Sequence, residues 1–321
     1  MSTRPLPEPE ICVIIPAYNE GDGMDRALTT ISQILQTVTD DWEIIVIDDG
    51  SQDDTYARVC HYAQHEARVK GLSFSRNFGK EAALLAGLKH SLARVAITID
   101  ADLQHPPELV PAMLEKWRDG AKIVHAVKRS RKTDSLGKRM AAFTANRIIS
   151  RLGGINIHNS SDFKLLDREI IDILIHQLPE RERFFRGLSS WIGFREEYLE
   201  FDVSTRYENE SKWSFWSLLE LSITALTSFT SVPLRIVTFL GLITLVLGFA
   251  VASEALWSWH LGLAVSGFAT IIITLLLIGS FIMISLGIIG EYIAKIYEEI
   301  KARPPYLIKS TVGIAAPGKR G

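Results

Sequence analysis

"ITIDADLQHPPE", residues 97–108, begins as a buried strand and ends as a cluster of oxygen donors. Its apolar run starts upstream at Val95 and stops at Asp100 and Asp102, with Gln104 two positions further on. Carboxylates this close repel one another, so a strand ending here calls for a cation or a donor-rich ligand. Similar short runs precede and follow it: "ICVII" (11–15), "EIIVID" (43–48), "GLSFS" (71–75) and "KIVHAV" (122–127). Helical patterns separate them and predict helices near 22–38, 53–68, 79–92 and 107–119. Asp53 and Asp54 lead into the second, and Pro106 and Pro107 open the fourth. Runs that are apolar on both faces and alternate with helices predict an α/β fold with a largely parallel sheet covered on both sides.

Two further strands end in polar clusters, "PAYNE" after the first and "DDGS" after the second. Ligands of open α/β sheets sit beyond the carboxyl ends of strands. Pro16, Tyr18, Asn19, Glu20, Asp48, Asp49, Asp100 and Asp102 are therefore expected to face one crevice. Each cluster has a plainer reading by itself. "DDGS" suits a turn and helix cap, "DADLQHPP" a turn into a Pro-started helix, and Tyr18 and Glu20 a packed ring and a surface acid. In this order, all at strand ends, they read as one site. Oxygen ligands at Asp102 and Gln104 suit magnesium or manganese, which take few protein groups plus phosphate oxygens. Glu20 and Asp49 can accept hydrogen bonds from ribose hydroxyls and a base N–H. A nucleoside diphosphate fits that set, as bound ligand and as leaving group.

The chain of 321 residues has room for one sizeable domain plus an appendage. A charged fraction of 22% and a net charge of -2 argue against a nucleic-acid partner. Cys12 and Cys60 lack metal-ligand spacing and suit a reducing compartment. The start, "MSTRPLPEPE", has no apolar core of a secretory signal, and residues 1–10 are expected to be a flexible leader. Residues 11–212 form the expected soluble domain. From Ile236 to Ser253, and again from Ala255 to Gly290, there is no Asp, Glu, Lys or Arg. Each run is long enough to cross a bilayer, giving expected spans at 233–256 and 264–290. A pair of helices buried in a soluble core is the other reading, but little chain remains to cover them.

The connection "SEALWSWHLG" has no Lys or Arg, whereas Lys212 and Arg235 precede the first span. Lys295, Lys301, Arg303 and Lys309 follow the second, so both ends are expected to be cytoplasmic and 291–321 a basic tail. Residues 213–232 mix Trp213, Phe215 and Trp216 with leucines, which suits a helix at the membrane interface or an ordinary packing helix.

The motif series resembles the inverting GT-A glycosyltransferases of family 2. It is most similar to the polyprenyl-phosphate branch, which includes dolichyl-phosphate mannosyltransferases and bacterial bactoprenol glucosyltransferases. The resemblance runs through "VIIPAYNE", "IDDGSQDDT", "SFSRNFGKEAALLAGL", "DADLQHPPE", "SSDFKLLDR", "RFFRGLSSWIGF" and "RYENESKW", nearly the whole chain. The Q-x-x-R-W signature of processive polysaccharide synthases is missing. The resemblance implies a GT-A, Rossmann-like catalytic domain, then interfacial helices and two transmembrane helices in a cytoplasmic membrane. It implies that Pro16, Tyr18, Glu20, Ile47 and Asp49 line a nucleoside pocket, that Asp100 and Ala101 contact the nucleotide, and that Asp102 and Gln104 hold the metal. Lys128, Arg206 and Lys212 would face phosphate. Lys128 stands where the family has Arg, which gives up bidentate contact. Asn209 replaces the usual glycine before "ESK", a change that Asn's tolerance of left-handed backbone softens. Asp162 matches the catalytic acidic position, as base or orienting carboxylate, or else it caps a helix before "KLLDREIIDIL".

A phosphate-monoester acceptor is mostly dianionic at neutral pH and needs cations more than a base. Arg131, Lys138 and Arg139 are candidates, with a solvated basic loop as the alternative. The implied partners are a nucleotide-sugar donor (UDP-glucose first), a polyprenyl phosphate lipid, the membrane, and a second copy of the chain.

Overall fold

The computed structural model describes residues 9–128, 162–178, 180, 185–201, 232–262 and 267–314. They divide into two units. One holds the N-terminal region together with residues from Pro304 onward, and the other holds the two long helices.

The first unit is built on strands β1 (Ile11–Ala17), β2 (Trp42–Asp48), β3 (Val69–Phe74), β4 (Val95–Thr98), β5 (Ile123–Lys128), β6 (Lys164–Asp167), β7 (Glu196–Phe201) and β8 (Ile308–Val312). They form one sheet in the order β7-β5-β6-β4-β1-β2-β3-β8. β4, β1, β2 and β3 run parallel, as their two-sided apolar character predicts. β6 is antiparallel to both β4 and β5, and β8 is antiparallel to β3. The chain winds outward from β1 to β2 and β3, then returns to place β4 on the other side of β1. The crevice of such a sheet opens at that reversal, between the ends of β1 and β4.

Helices α1 (Gly21–Val38), α2 (Thr55–His65), α3 (Lys80–His90) and α4 (Val110–Arg118) follow these strands, and a 3-10 turn at Pro107–Leu109 leads into α4. α1 turns Met24, Leu28, Ile31 and Leu35 to the sheet, the spacing of one helical face. α3 is different, because every residue from Ala82 to Leu88 is buried. Its closeness to the sheet rests on Gly87, where a Cβ would stand 2.3 Å from Ile14 Cγ2 and 2.9 Å from Ile47 Cδ1. A side chain there would push α3 off β1 and β2.

α5 (Arg168–Asp172) and α6 (Phe185–Trp191) complete the unit. The alternative reading of Asp162, a cap on a helix running through "KLLDREIIDIL", does not hold. That stretch is instead β6 followed by α5, and the cap is Asp167, whose carboxylate accepts the Glu169 N–H. Leu165 and Leu166 are wholly buried, and the sheet claims them before the helix starts.

The second unit consists of α7 (Val232–His260) and α8 (Phe268–Ile300). Both are apolar on all sides and long enough to cross a bilayer. Phe239 is 67% exposed and Leu276 66% exposed, so the alternative of buried core helices fails. The expected end of the second span at 290 lies inside α8, because Glu291 to Ile300 continue the helix. The expected basic tail is also ordered in part. Its residues 308–312 are β8, registered Gly71↔Val312, Leu72↔Thr311 and Ser73↔Ser310 against β3. Of the expected leader (1–10), residues 1–8 lie outside the described residues, while the Glu10 N–H donates to the Asp41 carbonyl and the Pro9 carbonyl accepts the Arg94 N–H. Of the expected interfacial segment (213–232), all but Val232, which starts α7, lies outside them.

Candidate active site

The loops after β1 and β2 are interlocked. The Asn19 N–H donates to Ser51 Oγ at 2.9 Å, the Gln52 N–H donates to Asn19 Oδ1 at 2.9 Å, and the Glu20 N–H donates to Thr55 Oγ1 at 2.9 Å. Asn19 adopts φ 54°, a left-handed conformation that Asn tolerates better than most residues. Gly50 adopts φ 70°, and a Cβ there would lie 2.4 Å from the Arg76 carbonyl carbon, so only glycine lets the β2 and β3 loops touch.

Asp48 and Asp49 hold those loops. Asp48 accepts the Ser51 N–H at 3.0 Å and the Ser73 hydroxyl at 2.7 Å. Asp49 accepts the N–H groups of Phe78 at 2.7 Å and Gly79 at 2.9 Å, one on each carboxylate oxygen. Burial raises the pKa of Asp49 above the ordinary carboxylate range, against those two bonds. Asp49 thus shapes the rim. Ile47 and Ala101 do not line an open pocket with their side chains. Ile47, one pleat away from Asp48 on β2, is wholly buried beneath Gly87, and Ala101, in the turn after β4, belongs to the apolar core. Tyr18 is exposed at the rim and Pro16 is half-buried.

Across the crevice, Asp102 Oδ1 accepts the Gln104 N–H at 3.0 Å, and Leu103 between them has φ 54°. A left-handed leucine is a strained conformation of the kind found where a side chain must be aimed. Burial raises the Glu20 pKa first, and Asp102, Asp100 and Asp53 add to it in that order. Glu20 and Asp102 therefore share one electrostatic neighbourhood although they follow different strands. Asp102 is exposed and Gln104 partly so. Among the described residues there is no group of three or more His, Cys, Asp or Glu arranged to hold a metal. Asp102 and Gln104 carry oxygen donors of the kind a hard cation takes beside water and phosphate oxygens.

Asp162 joins this site through a residue that sequence reasoning did not single out. Lys80 Nζ, at the start of α3, lies 2.6 Å from Asp100 Oδ1 and 3.0 Å from Asp162 Oδ2. Thr98 at the end of β4 donates its hydroxyl to the Asp162 carbonyl. Desolvation pushes the Lys80 pKa down, but Asp100 and Asp162 outweigh it and the net shift is upward, so Lys80 stays charged. Glu81 follows, accepting the Phe185 N–H at 3.0 Å, and burial raises its pKa to about 7. His105 Nδ1 stands 3.8 Å from Asp100 Oδ2. The sequence marks Lys80 and Glu81 only as a charged pair directly before the all-apolar "AALLAGL", which places them at a helix start but names no partner for either. Lys128 ends β5 opposite Phe201, while Arg131, Lys138, Arg139, Arg206 and Lys212 lie outside the described residues.

A parallel sheet with acidic loops at its reversal point has counterparts among known proteins. The family model described as "Glycosyl transferase family 2" matches residues 12–174, which span β1 through the start of the turn after α5. The chain belongs to glycosyl transferase family 2. This glycosyltransferase is 39% identical over 307 residues to an uncharacterized glycosyltransferase of Synechocystis, covering 95% of this chain and 96% of that one. It is 36% identical over 303 residues to the bactoprenol glucosyl transferase of Shigella phage SfX, covering 94% and 99%. A bactoprenol glucosyl transferase homolog of an Escherichia coli prophage is 35% identical over 302 residues, covering 94% and 98%. Among solved structures, the glucosyl-3-phosphoglycerate synthase of Mycobacterium tuberculosis with Mn2+ and UDP-glucose shows a distant likeness. It has 21% identity, 68% and 77% coverage and a TM-score of 0.47.

Proposed function

We propose that the transferase moves one glucose from UDP-glucose to the phosphate of a polyprenyl phosphate, undecaprenyl phosphate foremost, with inversion at the anomeric carbon. An acceptor phosphate oxygen forms the new bond to C1, the C1–O bond to the diphosphate breaks, and UDP leaves with the electron pair. The observation that carries this reading is the joining of two chemistries in one chain. A carboxylate crevice suits a sugar nucleotide, and two exposed apolar helices suit the company of a lipid. Relatives named bactoprenol glucosyl transferase match over nearly their whole length, which supports the same donor and acceptor classes.

Within this reading, Tyr18, Glu20 and Asp49 bind the nucleoside, and Asp100 lies beside the diphosphate. Asp102 and Gln104 would hold Mg2+ or Mn2+, which when bound offsets charge developing on the leaving diphosphate. Asp162 orients the acceptor or takes its remaining proton. Two anions must approach each other, so cations near the reacting centre matter most, and Lys128, Arg131, Lys138, Arg139, Arg206 and Lys212 are the candidates. The helices α7 and α8 would anchor the protein in the cytoplasmic membrane with the catalytic unit and both termini on the cytoplasmic side.

Purified full-length protein in detergent, given radiolabelled UDP-glucose and undecaprenyl phosphate, should yield a lipid-soluble product labile to mild acid. A donor panel run in parallel identifies the sugar. Label in a soluble glycan and none in lipid would favour a non-processive transferase with a saccharide acceptor. Binding of UDP-glucose without turnover under all conditions would favour a membrane-anchored nucleotide-sugar scaffold.

A further inference from the structure

Lys80 is the cation held between two carboxylates that arrive from different parts of the chain. Asp100 follows β4, and Asp162 precedes β6, the antiparallel neighbour of β4 in the sheet. Asp100 and Asp162 would repel one another without a positive charge between them. Lys80 comes from a helix locked to the sheet at Gly87, so its backbone position is fixed by the core rather than by either loop. Charges of both signs lie close by: Asp162 raises the proton affinity of Glu81 on α3, Lys164 on β6 and Lys80 lower it, and His105 faces Asp100 from the next loop.

We propose that Lys80 is a positioning residue that ties Asp100 to Asp162, holding Asp162 ionised and aimed at the acceptor phosphate once the donor has bound. This rests on the proposed role of Asp162. Lys80 touches neither reacting group. It keeps Asp162 from rotating toward solvent and from taking up a proton at moderately acidic pH. The effect falls chiefly on turnover, because Glu20, Asp49 and Asp102 hold the donor without Lys80 and only Asp100, beside the diphosphate, is shared with it.

The test compares the full-length chain with Lys80→Met, Lys80→Arg and Asp162→Asn, reading kcat, the donor KM and the acidic limb of the kcat–pH profile. Lys80→Met is expected to lower kcat about 100-fold, with a smaller rise in donor KM of up to about fivefold through Asp100. Its acidic limb should move to higher pH, because a carboxylate without its counter-ion protonates more readily. Lys80→Arg should restore most of kcat and return the limb to its original place. Lys80→Gln carries the same expectation as Lys80→Met if the methionine variant does not fold. A fall in kcat with the limb unmoved, or a rise in donor KM instead, overturns the proposal. If Asp162→Asn keeps wild-type turnover, the role of Asp162 and this proposal fall together. If Asp162→Asn is inactive while the uncharged Lys80 variants keep the wild-type limb, the Lys80 proposal alone falls.

Discussion

The ring of Tyr306 lies flat against that of Phe74, with centroids 4.9 Å apart and planes 10° apart. Tyr306 comes just after α8, and Phe74 ends β3 within the catalytic sheet. One residue further, the Leu307 carbonyl accepts the Ser75 N–H at 2.9 Å, which fixes the start of the loop leading to Phe78 and Gly79. The chain thus returns after its apolar helices to finish the sheet it left. Tyr306→Ala should cost about 1–3 kcal/mol, from the lost stack and lost apolar burial. Ending the chain after Arg303 would bare the edge of β3 and promote aggregation. Thermal unfolding and light scattering of the two variants check this, and a wild-type transition in both would show that β8 adds nothing to the unit.

The same strand constrains membrane topology independently of charge. Residues 9–128 and 308–312 share one sheet, so they lie on one side of any membrane that α7 and α8 cross. The number of crossings between them must be even. With Cys60 replaced by Ser and Cys12 buried in β1, a cysteine introduced by Trp259→Cys should react with an impermeant maleimide from the side opposite to one introduced by Lys309→Cys, an exposed position. Labelling of both from the same side would mean that the helices do not span.

Much of this was legible in sequence because the parallel core strands are apolar on both faces and the polar clusters end them. β1, β2, β3 and β4 stand where the pattern put them, to within a few residues. The pattern was silent on β6, β7 and β8 for separate reasons. "KLLD" is short and runs into a helical sequence. "EEYLEF" alternates charge with apolar residues at a half-exposed edge. β8 stands far down the chain beyond two membrane-type helices, where a basic run reads as a tail. In the site, the carboxylates were visible as acids in turns, but their partners were not. No spacing rule connects Lys80 to Asp162, which lies 82 residues away and meets it only through the packing of α3.

Asp49 offers a direct measure of how the rim is held. Each of its oxygens accepts a backbone N–H from the loop before α3. An amide in its place keeps one acceptor and turns an NH2 group toward the other N–H. Asp49→Asn should therefore lose about 1–3 kcal/mol of stability. It should also weaken UDP binding, because the loop that closes the rim is released. Thermal unfolding with calorimetric titration of UDP measures both, and unchanged UDP affinity would remove Asp49 from the nucleoside pocket.

Asp102 differs, being exposed on a turn and outside the packed core. Asp102→Ala should leave the unfolding temperature within a degree or two, since surface changes have small effects. Mn2+ or Mg2+ should raise UDP affinity in the wild type, and in the variant that gain should vanish. Retention of that gain would assign the metal to other residues.

Glu81 supplies a pH dependence whose direction can be worked out. Its pKa rises from 4.5 to about 7 in the folded chain, because burial disfavours the charged carboxylate. The folded state then holds a proton that the unfolded state releases above its ordinary pKa. The stability this gives is complete below about pH 4.5 and is lost as pH climbs through about 7. The full shift corresponds to at most roughly 3 kcal/mol. Glu81→Gln keeps an oxygen to accept the Phe185 N–H and cannot ionise. Between pH 5.5 and 8, wild-type unfolding temperature should fall more steeply than that of Glu81→Gln, with the variant the more stable at the alkaline end. Parallel slopes for the two proteins would mean that Glu81 is ionised throughout this range and that the corner beneath Asp162 carries one more negative charge than its burial allows.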